Sequence, residues 1–252
     1  DSTASSYDIV DSASAIVGAT DAILNTGGVA TVTVSGVADA AQGADIDAFV
    51  KDVTYNVVDD ANDIAAELSG SNDQLDEAVS VTVTGGTVDV ADAAAIQGIS
   101  GYVDSTASSY DIVDSASAIV GATDAILNTG GVATVTVDGV ATAAQGADID
   151  GFSKDVAFNV VDDAQDVIDE MTAHDEIASA QTITVSGVAN AAQGVAINEF
   201  TKDVAFDVDS SADALATAIN GDSALLDEAG SVTVTGGTVD VADAAAIQGI
   251  SG

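Results

Sequence analysis

The sequence predicts an α/β fold, a repeat solenoid of five strand-helix-strand-helix units with a continuous, mostly parallel sheet. Three observations predict it. Residues Asp1 to Val34 recur unchanged as Asp104 to Val137, and Ser80 to Gly101 recur as Ser231 to Gly252. Verbatim repetition suits a protein that works by being long and uniform. A motif of an aromatic, Asp or Asn, Val or Ile, then an acidic or Ser pair returns at Tyr7, Tyr55, Tyr110, Phe158 and Phe206, with spacings of 48, 55, 48 and 48 residues. Between these marks the apolar period switches between 2 and 3.6, as alternating strands and helices require.

The units are therefore 7–54, 55–109, 110–157, 158–205 and 206–252, with 1–6 the tail of a preceding unit. The longer second unit carries an insert around Gly101-Tyr102-Val103-Asp104-Ser105. Each unit opens on a strand: Val53-Thr54-Tyr55-Asn56-Val57 puts Val, Tyr and Val on one face and Thr and Asn on the other. A helix follows, with Asp11 or Ser12 as cap and Ala13, Ile16, Thr20, Ile23 and Leu24 at helical spacing before Gly27-Gly28. Asp60, Ala61, Ile64 and Leu68 repeat the arrangement. The second strand is Thr31-Val32-Thr33-Val34, matched at 81–84, 134–137, 182–185 and 232–235, with valines inward and threonines outward. An Ala-rich stretch, Val37 to Lys51, closes the unit as a short helix set close to the sheet through Ala41, Ala44, Ala48 and Phe49. Right-handed crossovers gather the helices on one side and leave Thr, Asn and Asp on the other. A β-solenoid is the alternative, and it requires the Ala-rich stretches to be extended against their propensity.

In mid-chain Ile99-Ser100-Gly101 runs through Tyr102-Val103 into Asp104-Ser105-Thr106, whereas Ile250-Ser251-Gly252 and Asp1-Ser2-Thr3 lack only that Tyr-Val pair between them. The expectation is a window cut from a longer array, or a unit whose copies adjoin head to tail.

Composition narrows the function. Hydrophobic residues make up 47% of the chain but aromatics only 4%, so the expected core is Val, Ile and Ala in thin layers. With 42 acidic residues against three lysines, the net charge of −39 calls for ionic screening. Nucleic acid and anionic lipid are not expected partners, because both are bound through Lys and Arg. Membrane insertion is not expected either, since no apolar run reaches spanning length. There is no cysteine, hence no disulfide scaffold and no thiol chemistry.

The run Tyr55 to Ile64, followed by Thr-Val-Thr as in Thr31 to Val34 and an Ala-Gln helix as in Ala40-Ala41-Gln42, resembles the tandem repeats of giant acidic surface and adhesin-like proteins of marine bacteria and cyanobacteria. That resemblance implies an exported cell-surface or extracellular filament protein whose repeats serve spacing and attachment; the near-continuous junction from Gly252 to Asp1 makes copies of itself, head to tail, the expected partners. It implies no catalytic residue and no certain cofactor. The alternative function is adhesion through the exposed Thr/Asp/Asn face to a glycan, a mineral, a calcium-dependent partner or ice.

Individual residues point the same way. His174 and Met171, each the sole residue of its type, are expected in a solvated helix-to-strand region. Lys51, Lys154 and Lys202 share one place in their units, where a cation suits a helix C-terminus and neighbouring Asp. Asp8, Asp111 and Asp207, with Asn56 and Asn159, form one outward row on the first strands. These three aspartates are the metal candidates: calcium takes six to eight oxygens, and a diffuse solvated acidic face is the alternative. Paired aspartates such as Asp59-Asp60 and Asp162-Asp163 open helices as caps. No nucleophile elbow or phosphate loop occurs, so an enzyme is not expected.

Overall fold

A computed structural model describes residues 6–69, 74–174, 177 and 179–251. The chain forms two compact bodies, one of Asp1–Asp114 with Ala122–Thr136 and the other of Ser115–Gly121 with Val137–Gly252. The fold is α/β, and the strand pairings in both bodies are parallel.

In order, the elements of the first half are β1 (Tyr7–Asp11), α1 (Ala13–Val17), α2 (Asp21–Leu24), β2 (Val29–Val34), α3 (Ala40–Asp47), β3 (Val53–Thr54), β4 (Asn56–Asp59), α4 (Ala61–Leu68), β5 (Ser80–Val88), α5 (Val90–Gly98) and β6 (Ser109–Asp114). There follow α6 (Ala116–Gly121), α7 (Asp124–Leu127), β7 (Val132–Val137), α8 (Ala143–Asp150), β8 (Val156–Ala157), β9 (Asn159–Asp162), α9 (Ala164–His174) and β10 (Thr182–Val185). The last are α10 (Ala191–Asn198), β11 (Val204–Ala205), β12 (Asp207–Ser210), α11 (Ala212–Ile219), a 3₁₀ turn at Ser223–Leu226, β13 (Ser231–Val234) and α12 (Val241–Gln248). The Ala-rich stretches are thus helical, as propensity demands.

The expected continuous sheet is replaced by several separate ones. In the first body β1-β2-β3 form one sheet, while β4, β5, β6 and β7 are neighbours in another. In the second, β9-β10-β11 and β12-β13 are separate. The breaks fall at the aromatic of the motif. Val53 pairs back with Val32, whereas Asn56 pairs forward with Ser80, and Tyr55 between them is buried to 1% exposure. Phe206 separates β11 from β12 in the same way. Beyond the break the backward neighbour changes. The chain turns at Gly36, whose φ of 99° suits glycine, and Ala38 then bridges Val57, its N–H donating to Asn56 O at 2.8 Å. Ala189 bridges Val208 equivalently, after Gly187 at φ 80°.

The inward alternation holds for most of the second strands. Val32, Val81, Val83, Val135 and Ile183 are all buried, but Val234 is 45% exposed. Two details of the helices differ from the sequence reading. The stretch after Asp11 forms two short helices, because Gly18 caps α1 and Thr20 opens α2, which leaves Ile23 exposed. The Ala-rich helix buries Ala40, Gly43 and Ile46 rather than Ala41, Ala44 and Ala48, since the extra length of Ile46 selects the face. Gly43 permits the approach: a Cβ there would lie 2.8 Å from Leu75 Cδ2 and 2.9 Å from Val57 Cγ2. Gly194 makes the same approach to Val208 and Leu226.

Candidate functional site

The outward row of first-strand residues is a hydrogen-bonded ladder. Thr31 Oγ1 donates to Asp8 Oδ1 at 2.6 Å, and Thr134 Oγ1 to Asp111 Oδ1 at 2.6 Å. Ser80 Oγ donates to Asn56 Oδ1 at 2.7 Å, Thr182 Oγ1 to Asn159 Oδ1 at 2.7 Å, and Ser231 Oγ to Asp207 Oδ1 at 2.6 Å. All five first strands are tied in this way to the next strand, with partners 23 or 24 residues apart. The metal candidates Asp8, Asp111 and Asp207 therefore each spend one carboxylate oxygen on a cross-strand hydroxyl. These short bonds to an ionised acceptor belong to the stronger class.

A second repeated device sits at the strand ends. Asp59 Oδ1 accepts from Asp60 N at 2.9 Å, and its Oδ2 accepts from Ala40 N at 2.9 Å. One carboxylate thus serves the starts of two successive helices, α3 and α4, where orphan N–H groups and the positive dipole end favour it. Asp162 repeats the geometry, accepting from Asp163 N and Ala143 N, both at 2.9 Å. Asp114 Oδ2 accepts from Val90 N at 3.1 Å. Sequence reasoning assigned the Asp pairs to capping their own helices. It missed the bond to the preceding helix, which pairing at the strand end brings alongside. The available signal is the acidic residue that closes the first strand at Asp59, Asp114 and Asp162, beside the start of the preceding Ala-rich helix.

Asp60 and Asp163 cap α4 and α9: Asp60 Oδ1 accepts from Asn62 N and Asp63 N, and Asp163 Oδ1 from Gln165 N and Asp166 N. The carboxylates of Asp59, Asp60 and Asp63 offer oxygens within 4.8 Å of one another, as do those of Asp162, Asp163 and Asp166. The charge of Asp60, then that of Asp59, raises the carboxyl pKa of Asp63, and Asp163 does the same to Asp166. These are the described residues best placed to meet a cation. Asp8, Asp111 and Asp207 are in neither group. Calcium would need further oxygens beyond three side chains.

Glutamines and a lysine add links between neighbouring segments. Gln42 and Gln145 complete capping boxes on α3 and α8, and their Nε2 atoms donate to Ser14 Oγ at 3.1 Å and Ser117 Oγ at 2.9 Å. Lys51 Nζ donates to the carbonyls of Val29 and Ala30 at 3.4 and 3.2 Å, so its cation lies against the start of β2. Asp47 Oδ1 accepts from Tyr55 OH and Glu77 N, each at 3.2 Å. Burial, reinforced by Asp47, pushes the Tyr55 phenol well above its ordinary pKa.

Met171 is buried in α9 rather than solvated, as is Val167 in the same helix. His174 is the last residue of that helix, and its side chain lies outside the described residues, as do Asp1 to Ser5 and Gly252. No helix of the described residues is long and apolar enough to cross a membrane. Comparison with known families, with curated proteins and with solved structures finds no match.

Proposed function

We propose that this chain is a structural repeat segment of an extracellular filament, surface layer or adhesin stalk, in which strand-helix-strand-helix units stack as a solenoid and set a distance. The observation that carries this reading is the ladder of first-strand Asp or Asn oxygens, each accepting a hydroxyl from the following strand. The Asp59 and Asp162 bridges support it in the same sense, because each spends its carboxylate on joining neighbours. Bonds that recur unit after unit extend an array without a change of chemistry, whereas catalysis needs one localised constellation. The acidic surface keeps such an array soluble and suits saline or calcium-containing surroundings.

Joining two and three copies of the chain in tandem, through Tyr-Val as at Gly101-Tyr102-Val103-Asp104, provides the test. Small-angle scattering is expected to show a constant cross-section and a length rising by about 50 Å per copy, if each of the five units adds two strand layers of ~4.8 Å. Tandem copies of unchanged length and growing cross-section would end the spacer reading.

A further inference from the structure

We propose that two copies of this chain join through β13 and α12 of one and β1 and α2 of the other, in the register that β5 and β6 use within the chain. The inference rests on the stacking reading above and specifies its junction. Within the first body, β5 pairs with β6 through Thr84↔Ser109, Thr87↔Asp111 and Val88↔Ile112. Val90 N donates to Asp114 Oδ2, and Gln97 Nε2 donates to Tyr110 OH at 2.7 Å and to Ile126 O at 2.9 Å. One side of this interface lies wholly within Ser80 to Gly101 and the other within Asp104 to Val137. Those are the two stretches that the sequence carries twice.

Their second copies are open. Val83 is fully buried, whereas Val234, the same residue of the repeat, is 45% exposed. Tyr110 is fully buried, whereas Tyr7 is 51% exposed. The α12 helix buries no residue, although α5, with the same sequence, buries Ala93 and Ile96. An open face of known sequence and a covered face of the same sequence identify the missing cover. It is the sequence from β1 to α2, present in every copy of the chain. Laid in the internal register, Thr238 faces Asp8 of the second copy, Val239 faces its Ile9, and Gln248 reaches its Tyr7 hydroxyl.

The junction differs from its template in one respect. Inside the chain, Val103 N donates to Val81 O at 2.9 Å and Tyr102 bridges Val81, a rung that lies outside the two duplicated stretches. Two chains of net charge −39 also repel each other. Association is therefore concentration-dependent and strengthens with salt. The contact is heterologous, so it propagates rather than stopping at a dimer unless a ring closes.

The chain has no cysteine, which makes disulfide capture selective. Thr238→Cys and Asp8→Cys chains, mixed at high salt and oxidised, are expected to give a crossed dimer, while Thr233→Cys with Asp8→Cys is expected to give several-fold less. Sedimentation of the unmodified chain should show oligomers growing with concentration. Tyr7→Glu should weaken association on the order of a hundredfold, the loss of a central buried anchor, while the single chain, in which Tyr7 is half-exposed, keeps its fold with a melting temperature only slightly lowered. Monomers at every concentration and salt, or equal capture by both cysteine pairs, would overturn the junction. If separate copies stay monomeric while tandem copies lengthen, the junction fails and the stacking reading stands. Capture without tandem lengthening supports the junction and removes the spacer role.

Discussion

Ser80 to Gly101 and Ser231 to Gly252 are one sequence in two settings. The first makes a nine-residue strand and the second a four-residue strand. Asp89 and Asp240 cap their helices alike, accepting from Asp92 N at 2.8 Å and Asp243 N at 2.9 Å. Local chemistry is therefore the same in both copies. What differs is the neighbour: β6 lies beside β5 and extends it past Gly85 and Gly86, and α5 packs on β6 and α7. Caps and helix starts belong to the segment, whereas strand length and burial belong to the pair of segments. That division is the one expected if the units stack as proposed.

The largest effect should come from truncating the same tyrosine in its two settings. Tyr110→Ala removes a fully buried ring and the acceptor of Gln97 Nε2, and is expected to cost about 3–5 kcal/mol. Tyr7→Ala, at a half-exposed ring, should cost no more than about 1 kcal/mol. Denaturant unfolding of the two variants checks this, and equal losses would break the comparison.

The next contrast concerns two aligned helices. Gly43 of α3 and Ala93 of α5 each stand four residues after the cap, at Asp39 and Asp89. A Cβ on Gly43 meets Leu75 and Val57 below 3 Å, so Gly43→Ala should lose about 1–3 kcal/mol to overpacking. A helix-propensity gain of about 1 kcal/mol offsets part of that loss, for a net cost of about 0–2 kcal/mol. Gly98→Ala, where a Cβ meets nothing within 4 Å, should be neutral or stabilising by up to about 1 kcal/mol. Thermal melts are expected to place Gly98→Ala above Gly43→Ala.

These contrasts show which features were legible in the sequence. The α/β alternation, the valine faces and the caps were readable because each depends on a few adjacent residues, as at Ser12, Asp60 and Val32. The sheet breaks at Tyr55 and Phe206 were not. The alternation Val53, Tyr55, Val57 stays perfect through the break, and only the change of partner strand reveals it. The outward Asp/Asn row was visible as a row. Its bonding was not, because the partner of Asp8 is 23 residues away and is set by register. Gly43 reads as a weak helix residue until Leu75 is placed beside it.

A smaller effect separates units that keep the bridging carboxylate from the last one, where Ser210 takes its place at the end of β12. Asp59→Ser copies that natural difference and puts a single hydroxyl where two carboxylate oxygens accept from Ala40 N and Asp60 N. The expected loss is about 1–2 kcal/mol, the range of a helix cap. A faster amide exchange at Ala40 than at Ala143, whose Asp162 partner is intact, would place the loss at the start of α3.

The smallest effect is electrostatic and distinguishes helix starts that otherwise look alike. The first turns of α1 and α6 hold no acidic residue, whereas those of α4 and α9 hold Asp63 and Asp166 close to other carboxylates. Repulsion from Asp60 and Asp163 raises the pKa of Asp63 and Asp166 above their ordinary 3.8. Between 3.8 and the raised value the folded chain holds more protons than the unfolded one, so stability falls as pH rises through that interval. The cost is present in full above the raised value and is relieved on acidification. Asp63→Asn and Asp166→Asn should therefore raise the melting temperature slightly at neutral pH and low salt. The gain should vanish near pH 3.8 and shrink in 1 M salt, where the screening length falls to about 3 Å. A gain that persists in high salt would point to side-chain packing rather than charge.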